Sequence, residues 1–179
     1  DKSRSHTVAA SLLNNVFSGV LLSDFWGGYN KKFYSEKITY AKCMSHILRM
    51  VEYACECEKN EHNDAKILKN IVLDAIYLKK FFIFECLQYC NEREGIEKRL
   101  DVFLHKSDTF LSYHCKKLKR LFIKCRNHVF KFLYIEELTP DNNGSERDIR
   151  EIVLSKKISK AFRTEFGLKT LAILKSINS

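Results

Sequence analysis

Val20-Leu21-Leu22, closed by Ser23-Asp24, is a short unbroken apolar run ending in turn-forming residues. A run of that length is too short for a helix and lacks the alternation of a half-wet strand. It suits a buried parallel strand that feeds a loop at its carboxyl end, here Phe25-Trp26-Gly27-Gly28-Tyr29-Asn30. Ile38 to Tyr40 reads as a second short strand. Residues 7–15 read as a short helix opened by Ser3 or Ser5 and followed by a break at Ser18-Gly19. Open α/β sheets present functional groups at the carboxyl ends of their strands, which makes Asp24 the first carboxylate to consider for chemistry.

Beyond Tyr40 the strand signals stop. Residues 41–59 read as helix, and from about 63 to 134 the apolar residues keep a helical period through Ile67, Ile71, Leu73, Ile76, Phe81, Ile83, Phe84 and Leu87. Glu92-Arg93-Glu94-Gly95 is expected to end one long helix, with 96–105 and about 108–134 as two more. Thr139-Pro140-Asp141-Asn142-Asn143-Gly144 is a turn. Ser145 then fits an N-cap with Asp148 three residues on, so 146–154 should be helical, and a last helix follows Gly167. Six glycines and the single Pro140 leave little for the dense turns of a sandwich or barrel, so an all-β fold is excluded. At 45% hydrophobic and 30% charged over 179 residues, the chain can bury one sizeable core.

No apolar run approaches the ~20 residues of a membrane span, since Lys or Glu interrupts each one, as around Phe81 to Phe84. The amino terminus, without an initiating Met or a signal-type apolar stretch, reads as a cut through a longer polypeptide. Seven cysteines without a Cys-x-x-Cys pair argue against a disulfide framework or a structural zinc site and for a reducing compartment. Cys86 and Cys90, one helical turn apart, read as small buried hydrophobes.

The net charge of +9 is uneven. Residues 1–114 hold 16 Lys and Arg against 15 Asp and Glu, whereas residues 115–179 hold 15 against 7. A basic surface concentrated in one third of a chain attracts polyanions, nucleic acid foremost. Lys116, Lys117, Lys119, Arg120, Lys124 and Arg126 recur beside Leu118, Leu121, Phe122 and Val129 at amphipathic spacing, so this stretch also fits a merely solvated helix face.

Two carboxylates stand out by context: Asp24 at a strand end and Glu146 at a helix start. Brought together, they can share Mg²⁺ or Mn²⁺, hard cations that take oxygen ligands and assist displacement at phosphorus. Each also has an ordinary role, Asp24 as a turn residue and Glu146 as a first-turn carboxylate on the helix dipole. Arg147 and Arg150 adjoin Glu146, and Lys156, Lys157, Lys160 and Arg163 follow. These cations suit a phosphodiester that the acids would otherwise repel. Cys43, His46 and Arg49 fall at three-residue intervals on one helix face. No second ligand pair completes a zinc site there, so the face reads first as structural packing, with His46 also able to hydrogen-bond or approach phosphate. The other histidines form no nucleophile-base pattern, and no phosphate-binding glycine loop is present.

Phe17-Ser18-Gly19-Val20-Leu21-Leu22-Ser23-Asp24 with Tyr29-Asn30, then Cys43-x-x-His46-x-x-Arg49, then Pro140 to Arg150, resemble in order and separation the transposases of the insertion sequence 66 family. Lys157-Ile158-Ser159, Phe162-Arg163-Thr164, Phe166-Gly167 and Leu174-Lys175-Ser176-Ile177 continue the likeness, whose most specific part is Asn142-Asn143-x-x-Glu146-Arg147-x-x-Arg150. The resemblance implies a DDE transposase of the α/β class, an RNase H-like core interrupted by a large all-α insertion. Residues 1–40 would be part of that core, 41–139 the mainly helical insertion, and 140–179 the core's carboxyl-terminal helices.

The resemblance further implies DNA transposition by metal-dependent phosphodiester hydrolysis and strand transfer, with Mg²⁺ or Mn²⁺ as cofactor and transposon ends and target DNA as partners. It also implies a homo-oligomer and a cytoplasmic, nucleoid-associated location. Asp24 matches the second of three catalytic carboxylates and Glu146 the third. Arg147, Arg150, Lys156, Lys157 and Arg163 would hold DNA, and His46, Arg49, Asn142 and Asn143 are candidates to support the carboxylates. The family's first acidic residue lies on a strand ahead of the part matched by Ser3-Arg4-Ser5, so Asp1 is not its counterpart. Residues 1–179 alone are therefore expected not to cleave DNA, and Val20 to Leu22 to carry an unpaired edge. A non-catalytic helical DNA-binding remnant and a helical interaction module are the alternatives.

Overall fold

A computed structural model describes residues 17–25, 37–58 and 64–144, together with positions 7, 10, 11, 13, 147, 150 and 154. The chain divides into two compact units, 1–142 and 143–179.

Both expected strands form. β1 (Gly19–Ser23) and β2 (Ile38–Lys42) pair in parallel, with Gly19 opposite Ile38 and Ser23 opposite Lys42, so their carboxyl ends lie side by side. β2 is largely buried, but β1 is only half-buried up to Ser23, in contrast to the buried strand expected. Among the described residues β2 is its sole ladder partner. Of the expected helix over 7–15, the described residues Thr7, Ala10, Ser11 and Leu13 are helical. Ala10, Leu13, Phe17 and Leu21 pack against Ile38 and Tyr40 of the sheet.

Four helices follow, each burying one stripe: α1 (Met44–Cys57), α2 (Asp64–Phe81), α3 (Leu87–His105) and α4 (Tyr113–Val129). α1 packs on α2 and α2 on α3, while α4 closes the arrangement against α1, α3 and β2. Met44, Ile47, Val51 and Ala54 face the core from α1, and Cys115, Leu118, Phe122, Cys125 and Val129 from α4. Ser112 caps α4 by accepting from the Cys115 N–H at 3.1 Å, and its own hydroxyl donates to Glu58. Between Met44 and Tyr134 the described residues form helices and turns, without a strand.

The helix boundaries correct the sequence reading in three places. The chain breaks at Phe82–Cys86, where Glu85 takes a left-handed φ of 56°, and α3 then runs through Glu92-Arg93-Glu94-Gly95. Burial of Tyr89, Ile96, Leu100, Phe103 and Leu104 on one side of α3 outweighs the ~1 kcal/mol by which a mid-helix glycine disfavours helix. The core face of α2 is Ala65, Leu68, Ile71, Val72, Ala75 and Leu78, which leaves Ile67, Leu73 and Phe81 of the expected period exposed; Ile83 in the break and Leu87 at the start of α3 are exposed as well. The single helix expected over 108–134 is a 3-10 turn (Asp108–Phe110), α4, and a second 3-10 turn (Lys131–Tyr134). A Cβ at Gly95 would meet nothing within 4 Å. Gly95→Ala is accordingly expected to raise stability by about 0.5–1 kcal/mol, read as a higher urea midpoint at unchanged slope.

All seven cysteines are free thiols, three of them buried: Cys43, Cys115 and Cys125. Cys86 and Cys90 are not buried hydrophobes. Cys86 caps α3, its sulfur accepting from the Tyr89 N–H at 3.3 Å, and Cys90 sits against the Glu85 carboxylate at 3.5 Å. In the second unit Asn143 and Gly144 are already helical, ahead of the expected Ser145 cap, and the described residues Arg147, Arg150 and Leu154 are helical too. Ser145, Glu146 and Asp148, the loop from Trp26 to Asn30, and the segment after Gly167 lie outside the described residues.

Candidate functional site

The parallel pairing brings the last residues of both strands together. Ser23 ends β1 at 3% exposure, half-buried Asp24 follows it, and Lys42 ends β2 at 8% exposure. Lys42 Nζ donates to Ser23 Oγ at 3.0 Å and to the Asp24 carbonyl at 2.5 Å, and lies 5.3 Å from the Phe25 ring centroid. Burial pushes the Lys42 ammonium below its ordinary range. Cys125 and Asp24 oppose that shift, and Lys124 adds to it. An ammonium taken out of water needs such acceptors, and in return it pins the backbone from which Asp24 projects.

The same end of the sheet receives the turn after the helices. The Cys43 N–H donates to the Ser23 carbonyl at 3.0 Å, and the Met44 N–H, one of the orphan donors at the start of α1, donates to the Pro140 carbonyl at 2.8 Å. Thr139 Oγ1 tightens that turn by donating to the Asp141 carbonyl at 2.8 Å. The Pro140 end of the Asn-Asn motif is thereby tied next to the strand end carrying Asp24.

The remaining candidates separate. His46 is half-buried on α1, whereas Arg49, one turn on, is exposed and lines a cleft with Lys117, Arg120 and Lys124 of α4. Asn142 is half-buried and Asn143 exposed. Arg147 and Arg150 are exposed helical residues of the second unit, while Glu146, Lys156, Lys157 and Arg163 lie outside the described residues. The basic run of α4 divides in the same way. Lys119 pairs with Asp108 at 2.7 Å, and Arg126 joins Asp101 at 2.7 and 2.9 Å and Glu97 at 2.5 Å, so these two serve the fold.

Lys42 is what the residue patterns did not single out, and the basic run of 116–126 was read without its convergence on Arg49. The signal for Lys42 was a lysine closing the otherwise weakly polar run Ile38-Thr39-Tyr40-Ala41, where a strand end near a carboxylate leaves room for one charge.

Asp24 supplies the hard oxygen donors that Mg²⁺ or Mn²⁺ take, and Asn142 Oδ1 is a buried carbonyl-type oxygen without a hydrogen-bond partner among the described residues. Both suit a hard cation. No group of three or more His, Cys, Asp and Glu that could hold a metal is found among the described residues.

Residues 1–170 match the family model described as Transposase IS66 family, nearly the whole chain. The chain belongs to the IS66 transposase family. Comparison with curated proteins and with solved structures found no match. Membership in IS66 makes the chain's function transposition-related, as part of a mobile element, and implies DNA as its partner. No helix among the described residues is long and apolar enough to cross a membrane.

Proposed function

We propose that this chain carries two of the three metal-binding carboxylates of a DDE transposase, Asp24 and Glu146, on an RNase H-like core of which 1–40 and 140–179 are parts and into which 41–139 is inserted. The observation that carries the reading is the placement of Asp24 at the carboxyl end of a parallel pair, beside the hydrogen-bonded return of Pro140. Glu146 follows six positions after Pro140 in the sequence, directly ahead of Arg147.

In this reading Asp24 and Glu146 hold Mg²⁺ or Mn²⁺, which when bound activates the attacking oxygen and stabilises the leaving oxygen at phosphorus. Lys42 is the positioning residue: its two hydrogen bonds keep the Ser23–Asp24 strand end from swinging as charge gathers there. Arg147 and Arg150, with Lys156, Lys157 and Arg163, neutralise the phosphates that two carboxylates would repel. Asn142, Asn143 and His46 lie along the motif segments that lead into the site and support its carboxylates.

Isothermal titration with Mn²⁺ tests the assignment. Saturable uptake is expected from the unaltered chain and is expected to vanish in both Asp24→Asn and Glu146→Gln. Uptake surviving both substitutions would sink the two-carboxylate site. No Mn²⁺ uptake alongside duplex binding that falls steeply with salt would leave a DNA-binding protein without a metal centre. Loss of the salt dependence too would leave an interaction module.

A further inference from the structure

The groups that the proposed chemistry leaves unused gather in one place, a cleft of about 660 Å³ between α1 and α4. Its floor is apolar, with Met50 and Ala54 from α1 and Leu118 and Leu121 from α4. Among the described residues its charged lining is all of one sign: Arg49, Lys117, Arg120 and Lys124, with no carboxylate. Among the described residues none of these four forms an ion pair, whereas Lys119 and Arg126 of the same helix are held by Asp108, Asp101 and Glu97. The basic run is therefore sorted by the fold, and the cations left over converge on a concavity.

Aromatic rings stand among those cations. Tyr53 and Tyr113 meet His114 edge-to-face, with centroids 5.4 and 5.3 Å apart, an arrangement that fixes the ring planes. Both tyrosines nevertheless remain open, Tyr53 at 59% and Tyr113 at 74% exposure. Exposed, oriented rings interleaved with unpaired cations along a groove are what successive bases and phosphates of a single strand require. Stacked base pairs of an intact duplex cannot lay their faces on such rings. An acidic peptide would use the cations and leave the rings idle.

We infer that this cleft seats unpaired nucleotides of DNA, with bases stacked on Tyr113 and Tyr53 and phosphates on Arg49, Lys117, Arg120 and Lys124. Phe25, directly after Asp24, also lines the cleft, and its ring stands 5.3 Å from Lys42 Nζ. A strand lying there passes the end of β1. The inference rests on the reading of this chain as a DNA-handling transposase part, though not on its metal site.

Fluorescence anisotropy in EDTA, with a short labelled oligothymidylate and a duplex of equal length, separates the two. The unaltered chain is expected to bind the oligothymidylate, with log affinity falling by about 0.7 per log salt for each phosphate contact. Tyr113→Ala is expected to weaken strand binding about 5- to 150-fold while leaving duplex binding nearly unchanged, and Tyr113→Phe to keep it. Lys117→Ala should lower the salt slope by about 0.7. Asp24→Asn should bind the strand at least as well. Circular dichroism melts guard against unfolding, which the exposure of Tyr113 makes a small concern. Equal strand affinity of Tyr113→Ala and the unaltered chain overturns the inference, as does absence of strand binding. If Mn²⁺ uptake at Asp24 and Glu146 persists in that event, the cleft alone is refuted and the metal site stands.

Discussion

Phe122→Ala is expected to cost about 3–5 kcal/mol of folding stability and to lower Tm by roughly 6–20 °C, measured by thermal circular dichroism. Phe122 is 1% exposed on the core face of α4, the helix that packs against α1, α3 and β2. Truncation removes a large buried ring and leaves a void that surrounding helices, already tied by turns and caps, can only partly close. Phe122→Leu preserves most of the volume and is expected to cost under about 1.5 kcal/mol. Because α4 supplies most of the basic cleft and seals β2, the Ala variant should also lose DNA binding at temperatures where it melts and keep it below them. A loss of less than about 1 kcal/mol would mean that α4 is not packed as described.

Arg126→Met is expected to cost about 1–3 kcal/mol at neutral pH, because one guanidinium serves two carboxylates on α3. Arg126 Nε and Nη2 donate to the two Asp101 oxygens at 2.7 and 2.9 Å, and the same Nη2 lies 2.5 Å from Glu97 Oε2. Glu97 is the more enclosed partner, at 13% side-chain exposure, so losing Arg126 strands a carboxylate poorly placed to recover water. Asp101 is half-exposed, and solvent screens its share.

The pH dependence follows from the same contacts. Hydrogen bonding from Arg126 holds the Asp101 carboxyl below the usual carboxylate range against the opposing effect of burial, and the Arg126 charge adds to it. A carboxyl depressed in the folded state contributes stability above its unfolded pKa of about 3.9 and loses it as pH falls through the folded value. The gap between the unaltered chain and Arg126→Met, followed by urea titration, should thus be widest near pH 7 and shrink below about pH 4. A gap independent of pH would assign the loss to packing of the arginine stem instead. Glu85 with Arg93 and Asp108 with Lys119 are depressed by their partners in the same direction, so acid should loosen the helical region at several points together.

The elements that place the candidate Asp24 were legible in short stretches. Val20 to Asp24 announced a parallel strand, Ile38 to Tyr40 a second short strand, and the strand-free periodicity after residue 41 the helical bulk. The break at Gly95 misled because turn formers are weighed locally, whereas α3 persists through contacts made by Tyr89, Ile96 and Leu100 with other helices. Exposure of Ile67, Leu73 and Phe81 was equally hidden. Periodicity marks an apolar stripe, but which of two stripes meets the core depends on the neighbours.

Strand and helix class, the family motif and the choice of Asp24 came from the sequence alone, because backbone preference, side-chain period and motif spacing act between residues within a few positions of each other. Only the tertiary structure decided the roles of the cations. Lys42 became a clamp on Ser23 across 19 positions, Arg126 an internal tie to Asp101 across 25, and Lys117, Arg120 and Lys124 the open wall of a cleft with Arg49. A lysine's charge is the same in every sequence context, but its role is set by which carboxylates, carbonyls and rings the fold brings within a few ångströms of it, and those partners lie too far along the chain for any local pattern to name.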